Sequence, residues 1–108
     1  MDMEVKQYAV HWVDLNPTKG SEVNKVRPCV IVSPDEMNLY IKTVIIAPLT
    51  HTLKSYPSRV ICDIKGEKGS IMLDQIRTID KIRIGSKIAQ LHSKEITEVK
   101  YVINQMLC

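Results

Sequence analysis

Along most of this 108-residue chain, apolar residues come in short runs or alternate with polar ones, the two-residue period of strands. Segment 8–15 (YAVHWVDL) alternates and predicts a first strand, and 16–25 (NPTKGSEVNK) is a ten-residue polar loop. Segment 27–33 (RPCVIVS) predicts a buried strand, because its β-branched run is bounded by Pro28 and Pro34. A turn, or one helical turn, follows over 34–38, then a long strand over 40–50 (YIKTVIIAPLT) and a second polar loop over 51–57. Segment 58–64 predicts a strand, and 65–69 (KGEKG) a hairpin connection with two glycines. Segment 70–79 is strand-like, although Leu73, Asp74 and Gln75 interrupt its rhythm; 80–87 reads as a turn and 88–92 as a short strand. The period then changes. Ile96, Val99, Ile103, Met106 and Leu107 recur at helical spacing, with Ser93 placed to cap the helix and Glu95 and Glu98 in its first turns. These elements predict one mainly β domain over 1–108, a small curved antiparallel sheet or partly open barrel closed at one end by the terminal helix.

Composition agrees with a single packed core. Apolar residues make up 44% of the chain and charged ones 25%, which argues against disorder. There is no Phe, so the core must be built mainly from Val, Ile and Leu, which favour strands. The net charge of +3 is mildly basic and compatible with an anionic partner. No apolar run has the length of a signal peptide or a membrane span. The three cysteines form no CxxC pair, so reduced thiols in the cytoplasm are expected, with Cys29 and Cys62 as core fillers.

Two polar loops each meet the end of a buried strand. The first carries Asn16, Lys19, Ser21 and Glu22 and leads to Arg27; the second begins at Thr50, directly after Ala47-Pro48-Leu49. If the two strands are neighbours, Arg27 and Thr50 face one another at a sheet edge, where a rigid scaffold commonly presents functional groups. His11, His51 and His92 are scattered, without metal-ligand spacing, and no phosphate-binding Gly-rich loop or Gly-x-Ser-x-Gly elbow is present. No metal or other cofactor is expected. What remains is a set of donors and one acid: Arg27, Thr50, Ser21 and Glu22. That set suits metal-independent RNA cleavage. A guanidinium fork matches phosphoryl oxygens, a hydroxyl stabilises charge as it develops there, and a carboxylate can take the 2′-hydroxyl proton.

The stretch WVDLNPTKGSEVNKVRPCVIVS resembles the N-terminal signature of the MazF/PemK (Kid) family of toxin endoribonucleases. The pattern is a strand ending in Asp-Leu-x-Pro, then Gly-Ser-Glu, then Arg-Pro and an apolar strand. SPDEMN, VIIAPLT and LDQIRTIDKIRI are similar to three further family blocks, in the family's order, so the likeness runs from about Tyr8 to about Leu91. It implies an SH3-like, partly open barrel of the MazF/CcdB toxin type with a C-terminal helix, working as a homodimer in the cytoplasm. It implies sequence-selective cleavage of single-stranded RNA to a 2′,3′-cyclic phosphate and a 5′-hydroxyl, and a cognate antitoxin that covers the RNA groove. By position, the catalytic residues fall on Arg27, Thr50 and Glu22. The block that lines the RNA groove in relatives falls on Asp74, Gln75 and Arg77; the loop residues Asn16, Lys19 and Ser21 are expected to bind RNA as well, and so is His51, which adjoins Thr50 although the family does not require a histidine there. Many members place Gly-Asp or Gly-Glu where this chain has Tyr8-Ala9, and some carry His at Ser21 and Arg at Met72.

Plainer readings stand beside these. Arg27 is also what an ordinary surface arginine before a proline looks like, and Thr50 what a turn-forming threonine at a strand end looks like. Glu22 has Lys19 and Lys25 as ready salt-bridge partners. Trp12 and Tyr56 can stack on bases, but a tryptophan on an alternating strand more often packs in a core or a dimer interface. Two other functions fit the same fold: a non-catalytic toxin that binds a protein target such as gyrase, and a degenerate module that holds RNA without cutting it.

Overall fold

The computed structural model describes residues 4–15, 26–53 and 55–107. Seven strands and two helices follow in chain order: β1 Ala9–Asp14, β2 Val26–Ile31, α1 Asp35–Tyr40, β3 Thr43–Thr50, β4 Arg59–Ile64, β5 Glu67–Met72, β6 Arg77–Asp80, β7 Ile84–Gln90 and α2 Ser93–Leu107. All pairings are antiparallel, in the order β4-β5-β3-β2-β1-β7, with β6 also on β3.

β3 organises the sheet. Its first half, Thr43 to Ile46, pairs with β6, and its end, Leu49 and Thr50, pairs with Ile71 and Ser70 of β5. The chain changes partner at a 3₁₀ turn over Leu73–Gln75, and Pro48, which has no N–H to offer a neighbour, sits where the two ladders meet. The sheet therefore curls, and its two faces carry separate apolar clusters. Val10, Val30, Ala47, Leu49, Val60, Ile71 and Leu73 pack against α2 through Val99. Val13, Cys29, Ile31, Val44, Ile46, Ile79 and Ile84 fill the other face. Burial pushes the thiols of Cys29 and Cys62 up to about 12, so both are inert fillers.

Local contacts explain the ends of the elements. Asn38, buried in α1, donates to the Ser33 carbonyl at 3.0 Å and accepts from the Ser33 hydroxyl, which itself accepts the Ile45 N–H at 3.1 Å. One short helix is thereby fixed to β3. Glu95, also buried, accepts the N–H of His92 at 2.8 Å and that of Asp63 at 2.9 Å, tying the start of α2 to β4. Tyr8 holds φ at +70°, a region that suits glycine; its N–H bonds to Ile31 O at 2.6 Å and its carbonyl accepts Leu91 N–H at 3.0 Å. The turn into β1 thus keeps a left-handed residue although a tyrosine occupies it.

The structure departs from the pattern in several places, and Tyr40, read as the start of the long strand, instead ends α1, so that β3 begins only at Thr43. The β4–β5 connection is only Lys65 and Gly66, both at positive φ as a tight hairpin turn requires, and Glu67 to Gly69 belong to β5. β7 begins at Ile84, inside the segment that reads as a turn, because His11 and Val13 of β1 pair with Lys87 and Ile84. Ser93 is already helical, and the first-turn donor at His92 is met by Glu95 instead of a serine cap.

A candidate RNA-cleaving cleft

In an antiparallel ladder, alternate residues of a strand turn their backbone groups to the same neighbour. Val32 faces β3 in this way, its N–H bonding to Ile45 O at 2.9 Å, and Val30 pairs with Ala47. Pro28 is the next residue in that series and has no N–H to give. The β2–β3 ladder accordingly stops at Cys29–Pro48, while β2 stays paired with β1 down to Val26 and β3 stays paired with β5 out to Thr50. The two strands part along this seam.

A cleft of about 610 Å³ opens there. Val26, Arg27 and Pro28 line one side with Trp12 and Ile88; Leu49, Thr50, His51 and Thr52 line the other with the β4–β5 hairpin, which contributes Lys65, Glu67 and Gly69. The register that pairs Cys29 with Pro48 also sets Arg27 across from Thr50 on one face of the sheet. Arg27 and Thr50 are half-buried, held by their strands yet open to solvent. Thr50 Oγ1 accepts the Thr52 N–H at 3.2 Å, which leaves its own proton for a ligand. With Arg27 and Lys65 against the single carboxylate Glu67, the described lining carries an excess of positive charge suited to a phosphodiester.

Of the residues that the sequence singled out, Arg27, Thr50 and His51 come together in this cleft. Asn16, Lys19, Ser21 and Glu22 lie outside the described residues. Arg77 is outside the lining but on the same face: it pairs with Ile46, and its charge, like that of Arg27, acts on the Cys29 thiol. Asp74 is engaged elsewhere. Its carboxylate accepts Arg59 Nε at 3.2 Å and Nη2 at 3.3 Å and the Ser58 hydroxyl at 3.1 Å, and the Arg59 guanidinium holds it below the ordinary value of 3.8. Arg59 in turn stacks on Tyr56, 4.9 Å from the ring centroid. Gln75 is exposed beside it, in the 3₁₀ turn. Among the described residues, no group of three or more His, Cys, Asp or Glu could hold a metal ion, and no helix is long and apolar enough to cross a membrane.

Lys65, Glu67, Thr52 and Ile88 line the cleft without having been legible as site residues. The hairpin brings the first two over the end of β3, a long-range consequence of pairing that the KGEKG stretch does not signal. Trp12 is neither core nor idle surface: it is 43% exposed in the cleft wall, and Gly85 of β7 passes close behind it, where a Cβ would stand 3.2 Å from Trp12 O.

Comparisons with known proteins bear on the family and the fold. The family model described as PemK-like, MazF-like toxin of type II toxin-antitoxin system matches residues 6–107. The chain is 39% identical over 101 residues to the endoribonuclease MazF of Staphylococcus saprophyticus, a match spanning 88% of this chain and 84% of that protein. Its fold is similar to that of MazE-MazF from Deinococcus radiodurans, with a TM-score of 0.85 and 24% identity over 98% of this chain and 97% of that one. An endoribonuclease in complex with its cognate antitoxin from mycobacterial species superposes with a TM-score of 0.81 and 20% identity, covering 94% of this chain and 93% of that one.

Proposed function

This chain belongs to the PemK-like, MazF-like toxins of type II toxin-antitoxin systems, and on that premise we propose that it is an endoribonuclease whose scissile phosphate lies between Arg27 and Thr50. The observation that carries the reading is the seam itself: one guanidinium and one hydroxyl across a cleft that the sheet holds open. The reaction uses the RNA's own 2′-hydroxyl. That oxygen attacks the adjacent phosphorus, the bond to the 5′-oxygen breaks, and the products are a 2′,3′-cyclic phosphate and a 5′-hydroxyl. The nucleophile is internal to the substrate, so the protein's part is to orient it, move two protons and stabilise added charge on the phosphoryl oxygens.

Arg27 meets that charge with a forked donor and passes a proton to the departing 5′-oxygen, regaining one from water, and Thr50 gives one phosphoryl oxygen a hydrogen bond. Glu22, in the loop over 16–25, takes the 2′-hydroxyl proton or positions that loop. Asn16, Lys19, Ser21, His51, Gln75 and Arg77 contact the flanking nucleotides, and Asp74 does so from its bond with Arg59. No metal or other cofactor enters these steps. The single domain acts in the cytoplasm as a homodimer on single-stranded RNA, and a cognate antitoxin restrains it by occupying the same cleft. The related structure in complex with its cognate antitoxin supports a partner of that kind.

Incubation of the purified protein with a long RNA in the presence of EDTA tests the reading. Cleavage should leave cyclic phosphate ends, and Arg27→Ala should abolish it while keeping the melting temperature. Full cleavage by that variant removes the mechanism. Retardation of RNA on a gel without shortening points instead to a binding module, and no interaction with RNA at all to a protein target.

A further inference from the structure

One buried polar atom beside the cleft has no partner. Ser70 is wholly buried, and its Oγ makes no hydrogen bond. Among the described residues His11 Nε2 is in the same position, but the other nitrogen of that ring sits 3.0 Å from Gly85 O, so the imidazole is anchored. Ser70 has no anchor of that kind. An unpaired hydroxyl in a core destabilises the fold, and alanine would fill the place without it.

The position of Ser70 gives the hydroxyl a use. In the β3–β5 ladder Ser70 stands directly opposite Thr50. Opposed residues of an antiparallel pair share a face with their Cβ atoms roughly 4.5–5.5 Å apart, a separation at which serine and threonine hydroxyls hydrogen-bond across strands. Rotation about χ1 of Ser70 moves only Oγ among three staggered positions and leaves the backbone alone. The strands are also close at this point: at the neighbouring Gly69 a Cβ would stand 3.4 Å from Thr50 O.

We propose that Ser70 is a positioning residue for Thr50, donating a hydrogen bond to Thr50 Oγ1 from behind while Thr50 donates its own proton to a phosphoryl oxygen in front. The inference rests on the nuclease reading above. A hydroxyl that accepts one hydrogen bond becomes a stronger donor in the next, and the effect is largest where water is excluded, as it is at a wholly buried side chain. The bond also selects the rotamer of Thr50 that faces the cleft. Ser70 touches no substrate; it acts through Thr50 alone.

The test is a double-mutant cycle on RNA cleavage, read by single-turnover rates and KM, with thermal unfolding measured in parallel. Ser70→Ala should lower the cleavage rate about tenfold at unchanged KM and melt no lower than the RNA-free wild type, in which the Ser70 hydroxyl has no partner. In a Thr50→Ala background the same substitution should change nothing further. An unchanged rate in Ser70→Ala overturns the inference, as does a loss confined to KM or the same loss in both backgrounds. Wild-type protein that cuts no RNA removes the nuclease reading and this inference with it. Wild-type protein that cuts, beside a Ser70→Ala variant that cuts equally well, removes the inference alone.

Discussion

Arg27 and Thr50 stand on opposite sides of the seam at which β2 leaves β3, and both line the cleft that opens there. Their strands remain paired on the outer sides, β2 with β1 and β3 with β5, so the main chain at both residues is held from outside the cleft. A charge that develops between these two groups meets donors already in place, the arrangement in which hydrogen bonds lower a barrier most.

That arrangement makes Thr50 informative. Thr50→Ala should lower the cleavage rate by a factor of about 10²–10³, the usual effect of deleting one preorganised donor. Thr50→Ser keeps the hydroxyl and should stay within about tenfold of wild type. Rates measured on a short single-stranded RNA decide the matter, and a serine variant as slow as the alanine one would show that the hydroxyl is not the operative group.

Glu95 is expected to matter for stability and not for chemistry. Its carboxylate satisfies two amides at once, those of His92 and Asp63. Glutamine can accept from only one of them and turns an NH₂ group toward the other; alanine leaves both without a partner. Each abandoned N–H costs about 1–3 kcal/mol, so Glu95→Ala should lose roughly twice the stability that Glu95→Gln does. For a domain of this size each kcal/mol lowers the melting temperature by about 4–8 °C. Equal melting temperatures for the two variants would contradict the shared-acceptor account.

Acid should release the Arg59–Asp74 pair. Arg59, the main cause, holds the Asp74 carboxyl below its ordinary value of 3.8. The folded state therefore binds that proton less readily than the unfolded chain, and the contribution is complete above pH 3.8 and lost as pH falls through the lower folded value. The pair is partly exposed, so Asp74→Asn should cost under about 1 kcal/mol near neutral pH. Denaturant unfolding of both proteins across the acid range checks the sign: the gap should close as pH falls, and a gap that widened would refute the assignment.

Much of this fold is legible in the sequence. Alternation marks β1, the Val/Ile runs mark β2 and β3, and the 3.6-residue recurrence of Ile96, Val99 and Ile103 marks α2. The helical signal is strong because α2 buries one face, and the Val/Ile runs are strong because β2 and β3 are buried on both. β7 was obscured at its start, where Gly85, Ser86 and Lys87 read as a turn; only the pairing of His11 and Val13 with that segment makes it a strand. The 65–69 stretch misled in the same way, since glycine marks turns and close approaches alike, and Gly69 is where β5 lies close to Thr50. Within the site, Arg27 and Thr50 were readable because each stands at the junction of an apolar run and a polar loop. Lys65, Glu67 and Ser70 were not, because their relation to the cleft is created by cross-strand register, which leaves no local trace.

Pro28 has a consequence beyond the ladder it ends. The missing amide is a covalent property of the ring, so the aperture between Arg27 and Thr50 does not depend on a loop having closed or an occupant having arrived. The break in the ladder at that point should therefore persist in the free, RNA-loaded and inhibited forms alike.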